Sequence, residues 1–366
     1  MPVTVLSGPR QCGKTTLARI VYEEKGGYFF DLEDPDVAES FRRPKLVLSE
    51  LQGLIVIDEA QLEPTLYPVL RILVDADRRN GSLRRFLLTG SASPDLVRGT
   101  SESLAGRVRH IPMGGFSLTE VGRESARNLW SRGGFPGSFL VEDEARSYRW
   151  RKDFIETFLL RDLPRMGVGV PGPELRRLWT MVAHLHGQLL NASELGKSLG
   201  ISHTTVSRHL DILEQSYVLR RLPPWHANIG KRQRKSPKIY VRDTGLLHAL
   251  LNITDIDALL MHPKVGASWE GFVIEQIAAI RPDLELWFWQ TQAGAEIDLF
   301  LQCGDRRIGV ECKLSDRPST TRSMHIALQD LRLDHIYVVY PGDKALPLDE
   351  KISTISLPEL CELLGH

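Results

Sequence analysis

The chain has 366 residues, with 46 Lys and Arg against 46 Asp and Glu, 42% hydrophobic and 25% charged; this is ordinary globular composition for two or three domains and excludes a disordered or fibrous chain. Its four cysteines, Cys12, Cys303, Cys312 and Cys361, form no CxxC pair and no zinc-type spacing, so neither a disulfide scaffold nor a zinc site is expected and a reducing cytoplasm fits. No apolar run reaches the roughly 18 residues that cross a bilayer, and Met1 leads directly into a strand pattern, so no membrane segment or signal peptide is expected.

The first apolar run, Val3–Ser7, is followed by Gly8-Pro9-Arg10-Gln11-Cys12-Gly13-Lys14-Thr15-Thr16 and a helical stretch from Leu17. This is GxxxxGKT between a strand and a helix, the setting in which glycines let backbone N–H groups close around phosphates and a helix N-terminus adds partial positive charge. Residues 8–16 are therefore expected to hold ATP, with Lys14 reaching the β- and γ-phosphates and the Thr15 hydroxyl on Mg²⁺. The second apolar run, Leu54-Ile55-Val56-Ile57, ends in Asp58-Glu59, as a buried parallel strand would. Asp58 is expected to hold Mg²⁺ through water and Glu59 to orient the attacking water. A third strand, Arg85–Leu88, runs into Thr89-Gly90-Ser91-Ala92-Ser93, and Ser103-Leu104-Ala105-Gly106-Arg107-Val108-Arg109 follows.

GPRQCGKTTL, LIVIDEAQ, LLTGSAS, SLAGRV and the later Gly133-Gly134-Phe135-Pro136 resemble the bacterial and archaeal AAA-type ATPases that carry a C-terminal domain of unknown function, along most of the chain. The resemblance implies a P-loop NTPase αβα core over residues 1–115, a helical lid and connector over 116–172, and ring assembly as a homo-oligomer, in hexameric form. It also implies a polar side chain after the third strand that senses the γ-phosphate, Thr89 or Ser91, and an arginine inserted into a neighbouring subunit. Arg107 is the choice for that arginine, with Arg98 and Arg109 competing. Relatives of this kind usually carry residues before the first strand, where adenine is often contacted, so adenine recognition is expected to be truncated, weakened or supplied from the lid. Within the lid, Arg161 is expected to pair with Asp162 at the surface rather than to sense nucleotide.

Residues 116–261 carry 21 positive and 15 negative side chains, whereas 1–115 are balanced at 15 each and 262–366 carry 10 and 16. The neutral total thus conceals a basic middle and an acidic end, and the basic middle reopens a nucleic-acid partner. Within a segment read as 173–261, Asn191–Leu199, a Gly200 turn and Ser202–Leu210 form a helix-turn-helix with Ser202 as N-cap of the second helix. That helix is expected to show His203, Thr204, Thr205, Ser207 and Arg208 to DNA. Tyr217–Leu222 and Lys238–Val241 read as the strands of a wing, with Lys231, Arg232, Arg234 and Lys235 at a basic tip directed at a backbone or minor groove. The small, mostly neutral reading side chains favour structure- or backbone-directed binding.

The acidic end, 262–366, reads as a helix from Gly266, strands at 286–289, 295–301 and 307–313, and a further strand at 336–340. Asp298, then Glu311-x-Lys313, is similar to the arrangement of the restriction-endonuclease-like superfamily. There two carboxylates would hold Mg²⁺ and the lysine would orient water, with Glu270, or secondarily Glu275, as the helical acid.

The expected fold is therefore α/β: a P-loop core with helical lid, a winged helix-turn-helix and a restriction-endonuclease-like α/β domain. The expected function is an ATP-hydrolysing, Mg²⁺-dependent enzyme that binds or remodels DNA. The alternatives are an ATP-licensed metal-dependent nuclease and a nucleotide-gated DNA-binding switch.

Overall fold

The computed structural model describes residues 1–81, 84–91, 104–226 and 233–365; of Ser91 only the backbone is described. The chain divides into two compact units, Met1–Gly115 with Gln215–Tyr217, and Phe116–Glu214 with Val218–His366.

In the first unit, five strands form one parallel sheet: β1 (Val3–Gly8), β2 (Tyr28–Asp31), β3 (Leu54–Asp58), β4 (Arg85–Ser91) and β5 (Val108–Pro112), in the order β2-β3-β4-β1-β5. The strands read as continuous apolar runs because both faces are covered. Alternation sorts them: Val3, Val5, Ile55, Ile57, Phe86 and Leu88 pack with Leu66, Leu70 and Leu73 of the helix Leu66–Asn80. Leu6, Val56 and Leu87 point the other way and pack with Ala18 and Val21 of the helix Lys14–Lys25. The result is the three-layer αβα arrangement, with β4 lying between the strand that carries the phosphate-binding loop and the strand that ends in Asp58.

The second unit opens with helices that include Ala126–Arg132, Glu144–Thr157 and Gly172–His184. The first of these ends at Gly133, with φ +76°, where a Cβ would fall 2.2 Å from the Asp243 carboxylate; Asp243 accepts instead from the Gly134 amide at 2.8 Å. That close approach explains the paired glycines of the GGFP motif. Next come β6 (Gln188–Leu189), the helices Ala192–Leu199 and His203–Gln215, β7 (Leu219–Leu222) and β8 (Lys238–Val241), the strands forming an antiparallel sheet in the order β6-β8-β7.

After the helix Val265–Ile280 a six-stranded mixed sheet follows: β9 (Trp287–Gln290), β10 (Glu296–Cys303), β11 (Arg306–Cys312), β12 (His335–Tyr340), β13 (Pro347–Asp349) and β14 (Ile352–Ser356), ordered β13-β14-β12-β11-β10-β9. Trp289, Ile297, Phe300, Met324, Ile336 and Val338 form its core. No described helix is long and apolar enough to cross a membrane.

Candidate functional site

The phosphate-binding loop leaves the C-terminal end of β1, where ligands of open parallel sheets bind. Its glycines are dictated by space: a Cβ on Gly8 would lie 2.0 Å from the Met113 carbonyl, and Gly13 has φ +100°. Pro9 and Cys12 are buried, Cys12 with its Sγ 3.7 Å from the Met113 carbonyl. Arg10 pairs with Glu33 at 3.3 Å, Gln11 is exposed, and Thr15 and Thr16 sit in the first turn of the helix. The Lys14 ammonium, only 6% exposed, donates to the carbonyls of Pro9 at 2.7 Å and Gly8 at 3.2 Å and lies 3.9 Å from Cys12 Sγ. A buried ammonium facing only dipoles is a site built to receive an anion, so the residues present fit a nucleotide phosphate.

The acids converge from the next strands. Ile57 lies opposite Leu88 in the β3–β4 register, which brings Asp58 level with Thr89. The Thr89 hydroxyl donates to Asp58 Oδ1, and the Glu59 amide lies 3.2 Å from the same carboxylate oxygen and 3.4 Å from Thr89 Oγ1. Asp58 and Thr89 are both buried. Glu59 adopts φ +52°, a left-handed conformation costly for a non-glycine residue and concentrated at functional sites. Gln61 Nε2 donates to the Glu59 carboxylate, a partner that the sequence reading missed.

Arg107, the choice for the arginine acting in trans, carries an ion pair of its own. Arg107 Nε and Nη2 donate to both oxygens of Asp75 on the helix Leu66–Asn80, at 2.7 and 2.9 Å, and this pairing holds its pKa above and that of Asp75 below their usual ranges. Arg107 is therefore engaged within its own chain. Arg109 stands exposed on β5, an edge strand. Arg98 and the side chain of Ser91 lie outside the described residues. Arg161 pairs with Asp162 at 3.3 Å, as expected, but Asp162 is buried rather than at the surface.

On the helix His203–Gln215, Ser202 Oγ accepts from the Thr205 amide at 3.1 Å, the expected N-cap bond. His203, Thr204 and Arg208 are exposed and Thr205 and Ser207 half-buried; Ser207 Oγ donates back to the His203 carbonyl at 3.0 Å. Lys231 and Arg232 lie outside the described residues. Arg234 and Lys235 are exposed, but the segment that carries them is not a free tip. The Arg234 amide donates to the Gln290 carbonyl at 3.0 Å, the Trp225 amide to the Phe288 carbonyl at 2.6 Å, and Trp289 Nε1 to Gln233 Oε1 at 3.1 Å. Trp225, Gln233 and Arg234 are thus bonded to β9.

In the acidic segment, Glu270 projects from the helix Val265–Ile280, Asp298 from β10, and Glu311 with Lys313 from the end of β11. Lys313 Nζ donates to Glu311 Oε1 at 2.7 Å, and Asp298 Oδ2 accepts from the Cys312 amide at 2.9 Å. Burial, and then the charge of Asp298, pushes the Glu270 and Glu311 carboxyls well above the usual range. Glu275, the second candidate for the helical acid, is placed elsewhere: despite burial, Arg220 and Arg242 hold its pKa at about 2.

Two residues unremarked in the sequence enter this cluster. Glu296 shares a face of β10 with Asp298, and Lys238, the first residue of β8, brings its ammonium to Glu270 Oε1 at 2.9 Å, to Glu296 Oε1, and within 3.7 Å of Asp298 Oδ1. Among the described residues no group of three or more His, Cys, Asp or Glu side chains stands where it could hold a metal ion. The Mg²⁺ that the endonuclease resemblance implies does not fit, because a lysine already stands among the acids. The signal was present as a lysine opening a buried strand, but its partners lie 32 to 60 positions away in sequence.

Comparison with known proteins agrees with the first unit's architecture. Residues 1–122 match the model of an AAA domain, residues 123–257 a domain of unknown function (DUF8612) and residues 265–360 a second one (DUF4143). The uncharacterized proteins Mb2031c of Mycobacterium bovis and Rv2008c of Mycobacterium tuberculosis are each 50% identical over 372 residues, covering 99% of this chain and 84% of theirs. Among solved structures, a single-residue variant of Thermotoga maritima RuvB is 16% identical over 61% of this chain and 83% of its own, with a TM-score of 0.28. Aeropyrum pernix Orc1 in complex with DNA is 13% identical over 70% and 88%, with a TM-score of 0.30. Likeness at that level carries no functional weight, and the assignment rests on the AAA match and the whole-length relatives. The chain belongs to the family of these two mycobacterial proteins, and its first unit is an AAA-type ATPase domain.

Proposed function

We propose that this protein is a Mg²⁺-dependent ATPase that assembles as a homo-oligomer and couples hydrolysis to the engagement of DNA by a winged helix. The observation that carries the hydrolytic part is the convergence of Asp58, Glu59 and Thr89 at the ends of β3 and β4, beside a loop whose buried Lys14 faces only carbonyls and a thiol. Thr15 and Asp58 would hold Mg²⁺, which when bound neutralises phosphate charge.

The chain's own residues supply the rest. Backbone N–H groups of residues 10–16, in the loop and at the start of the helix Lys14–Lys25, bind phosphate oxygens, and Lys14 exchanges its carbonyl partners for them. Glu59 orients water, steadied by Gln61. Thr89 couples β4 to Asp58, so that the state of the metal-binding acid reaches the neighbouring strand.

The DNA part rests on a surface of different chemistry. The order helix, β6, helix, helix, β7, β8 is that of a winged helix, and its second short-loop helix exposes His203, Thr204 and Arg208. Charge and hydroxyls without a dense set of base-reading side chains favour backbone-directed binding.

Measured ATP binding and turnover test the enzymatic part. Lys14→Ala is expected to abolish binding, and Glu59→Gln to retain it while turnover falls by roughly 10²–10⁴-fold. Undiminished turnover in both variants would remove this loop and acid pair from the reaction.

A further inference from the structure

Five of the six carboxylate oxygens of Glu270, Glu296 and Asp298 are already engaged, which the endonuclease resemblance does not anticipate, whereas the buried Oε2 of Glu311 has no hydrogen-bond partner among the described residues. Glu270 Oε1 accepts from Lys238 at 2.9 Å and from the Tyr240 hydroxyl at 2.6 Å. Glu296 offers one oxygen to Lys238 and the other to Gln290 Nε2 at 2.6 Å. Asp298 faces Lys238 with Oδ1 and the Cys312 amide with Oδ2. A Mg²⁺ ion needs oxygens of its own at about 2.0–2.1 Å. An ammonium instead donates at hydrogen-bond distance, and Lys238 does so to Glu270 and Glu296, with Asp298 as a longer ion pair at 3.7 Å.

Nor is Lys238 placed to swing aside. It is 4% exposed, its backbone is paired on both sides within β6-β8-β7, opposite Leu189 and Leu222, and its ammonium lies 5.5 Å from the centre of the Phe288 ring. Withdrawing its ammonium means giving up the contacts with Glu270 and Glu296 in a buried setting. Leaving it in place sets a second cation against a buried positive charge, which a low-dielectric interior makes costly.

We propose that Lys238 is the resident cation of the Glu270–Glu296–Asp298 cluster, and that the acids lock β8 to β10 and to the helix Val265–Ile280 in place of holding a divalent metal. The C-terminal segment then serves as a metal-free module that fixes the strand leading from Arg234 and Lys235, not as a nuclease.

Two measurements on the full chain, without nucleotide, test this. Mn²⁺ binding followed by electron paramagnetic resonance is expected to show no site tighter than about 1 mM at this cluster in the wild type. Sub-millimolar binding that Asp298→Asn removes would overturn the proposal. Thermal unfolding at pH 8, followed by tryptophan fluorescence, is expected to drop by roughly 10 °C in Lys238→Met and to recover in part in Lys238→Arg. Lys238→Met should also gain Mn²⁺ binding that an added Asp298→Asn abolishes. An unchanged midpoint in Lys238→Met would also overturn it. If Lys238→Met does not fold, the wild-type and Asp298→Asn titrations decide the matter alone.

Discussion

The hydroxyl of Thr89 donates to the carboxylate of Asp58 across the β3–β4 register, both groups buried at the C-terminal edge of the sheet. A hydrogen bond to a charged acceptor is worth about 1.5–3 kcal/mol, and it fixes the acid whose neighbour, Glu59, is held in a left-handed backbone. Thr89→Val keeps the volume and removes the donor. Turnover is expected to fall about 10- to 100-fold, with ATP affinity changed by less than about threefold. Equal losses in both would make Thr89 a binding residue rather than a coupling one.

Arg107 and Arg109 lie two residues apart in different surroundings. Arg107 is spanned by Asp75, whereas Arg109 is exposed on the edge strand β5. Arg109→Ala is expected to lower turnover per subunit by about 10³-fold or more, on the order of an arginine finger, without loss of folded protein. Mixing Arg109→Ala with Glu59→Gln subunits should restore part of the activity if the arginine acts in trans. Arg107→Ala should lower the thermal midpoint of the first unit and spare the mixed-subunit rescue.

DNA affinity should depend on salt and only weakly on sequence. Arg208→Ala and the pair Arg234→Ala and Lys235→Ala are expected to weaken duplex binding across sequences. Each lost phosphate contact should reduce the slope of log affinity against log salt by about 1. Fluorescence anisotropy at several salt concentrations reads this directly. An unchanged slope in every variant would assign the contacts to other surfaces.

Acid should destabilise the second unit well before its carboxylates titrate. Burial holds His186 and His248 at about 3, below their ordinary 6.5, so the unfolded chain takes up protons that the folded one refuses. Stability is whole above about pH 6.5 and falls as pH drops towards 3, by about 1.4 kcal/mol per pH unit for each histidine. Glu275, held at about 2, adds its own loss at lower pH. All seven tryptophans lie between Trp130 and Trp289, so their fluorescence in denaturant titrations at pH 7, 6 and 5 follows this unit. A midpoint constant over that range would contradict the burial of both imidazoles.

The parts most legible in the sequence are those whose chemistry is local. The loop 8–16 and Asp58-Glu59 are contiguous, and their apolar strands are short and unbroken because both sheet faces are covered. The capped helix-turn-helix is legible for the same reason, through Ser202 and the left-handed Gly200. Long-range pairing was not legible. Nothing next to Arg107 announces Asp75, and Lys238 read as a strand residue because Glu270, Glu296 and Asp298 reach it only through the fold. The bonding of Pro224, Trp225, Gln233 and Arg234 to the strand at β9 is likewise set largely by backbone groups, which carry no sequence signal.

The central claim is that ATP turnover in the first unit is coupled to DNA engagement by the helix His203–Gln215. The most direct test is steady-state hydrolysis at low salt with and without duplex, forked and four-way DNA, in the wild type and in Arg208→Ala. The account predicts several-fold stimulation by at least one DNA form, with the basal rate kept and the stimulation lost in Arg208→Ala. A rate indifferent to every DNA, with no DNA bound at low salt, would contradict it.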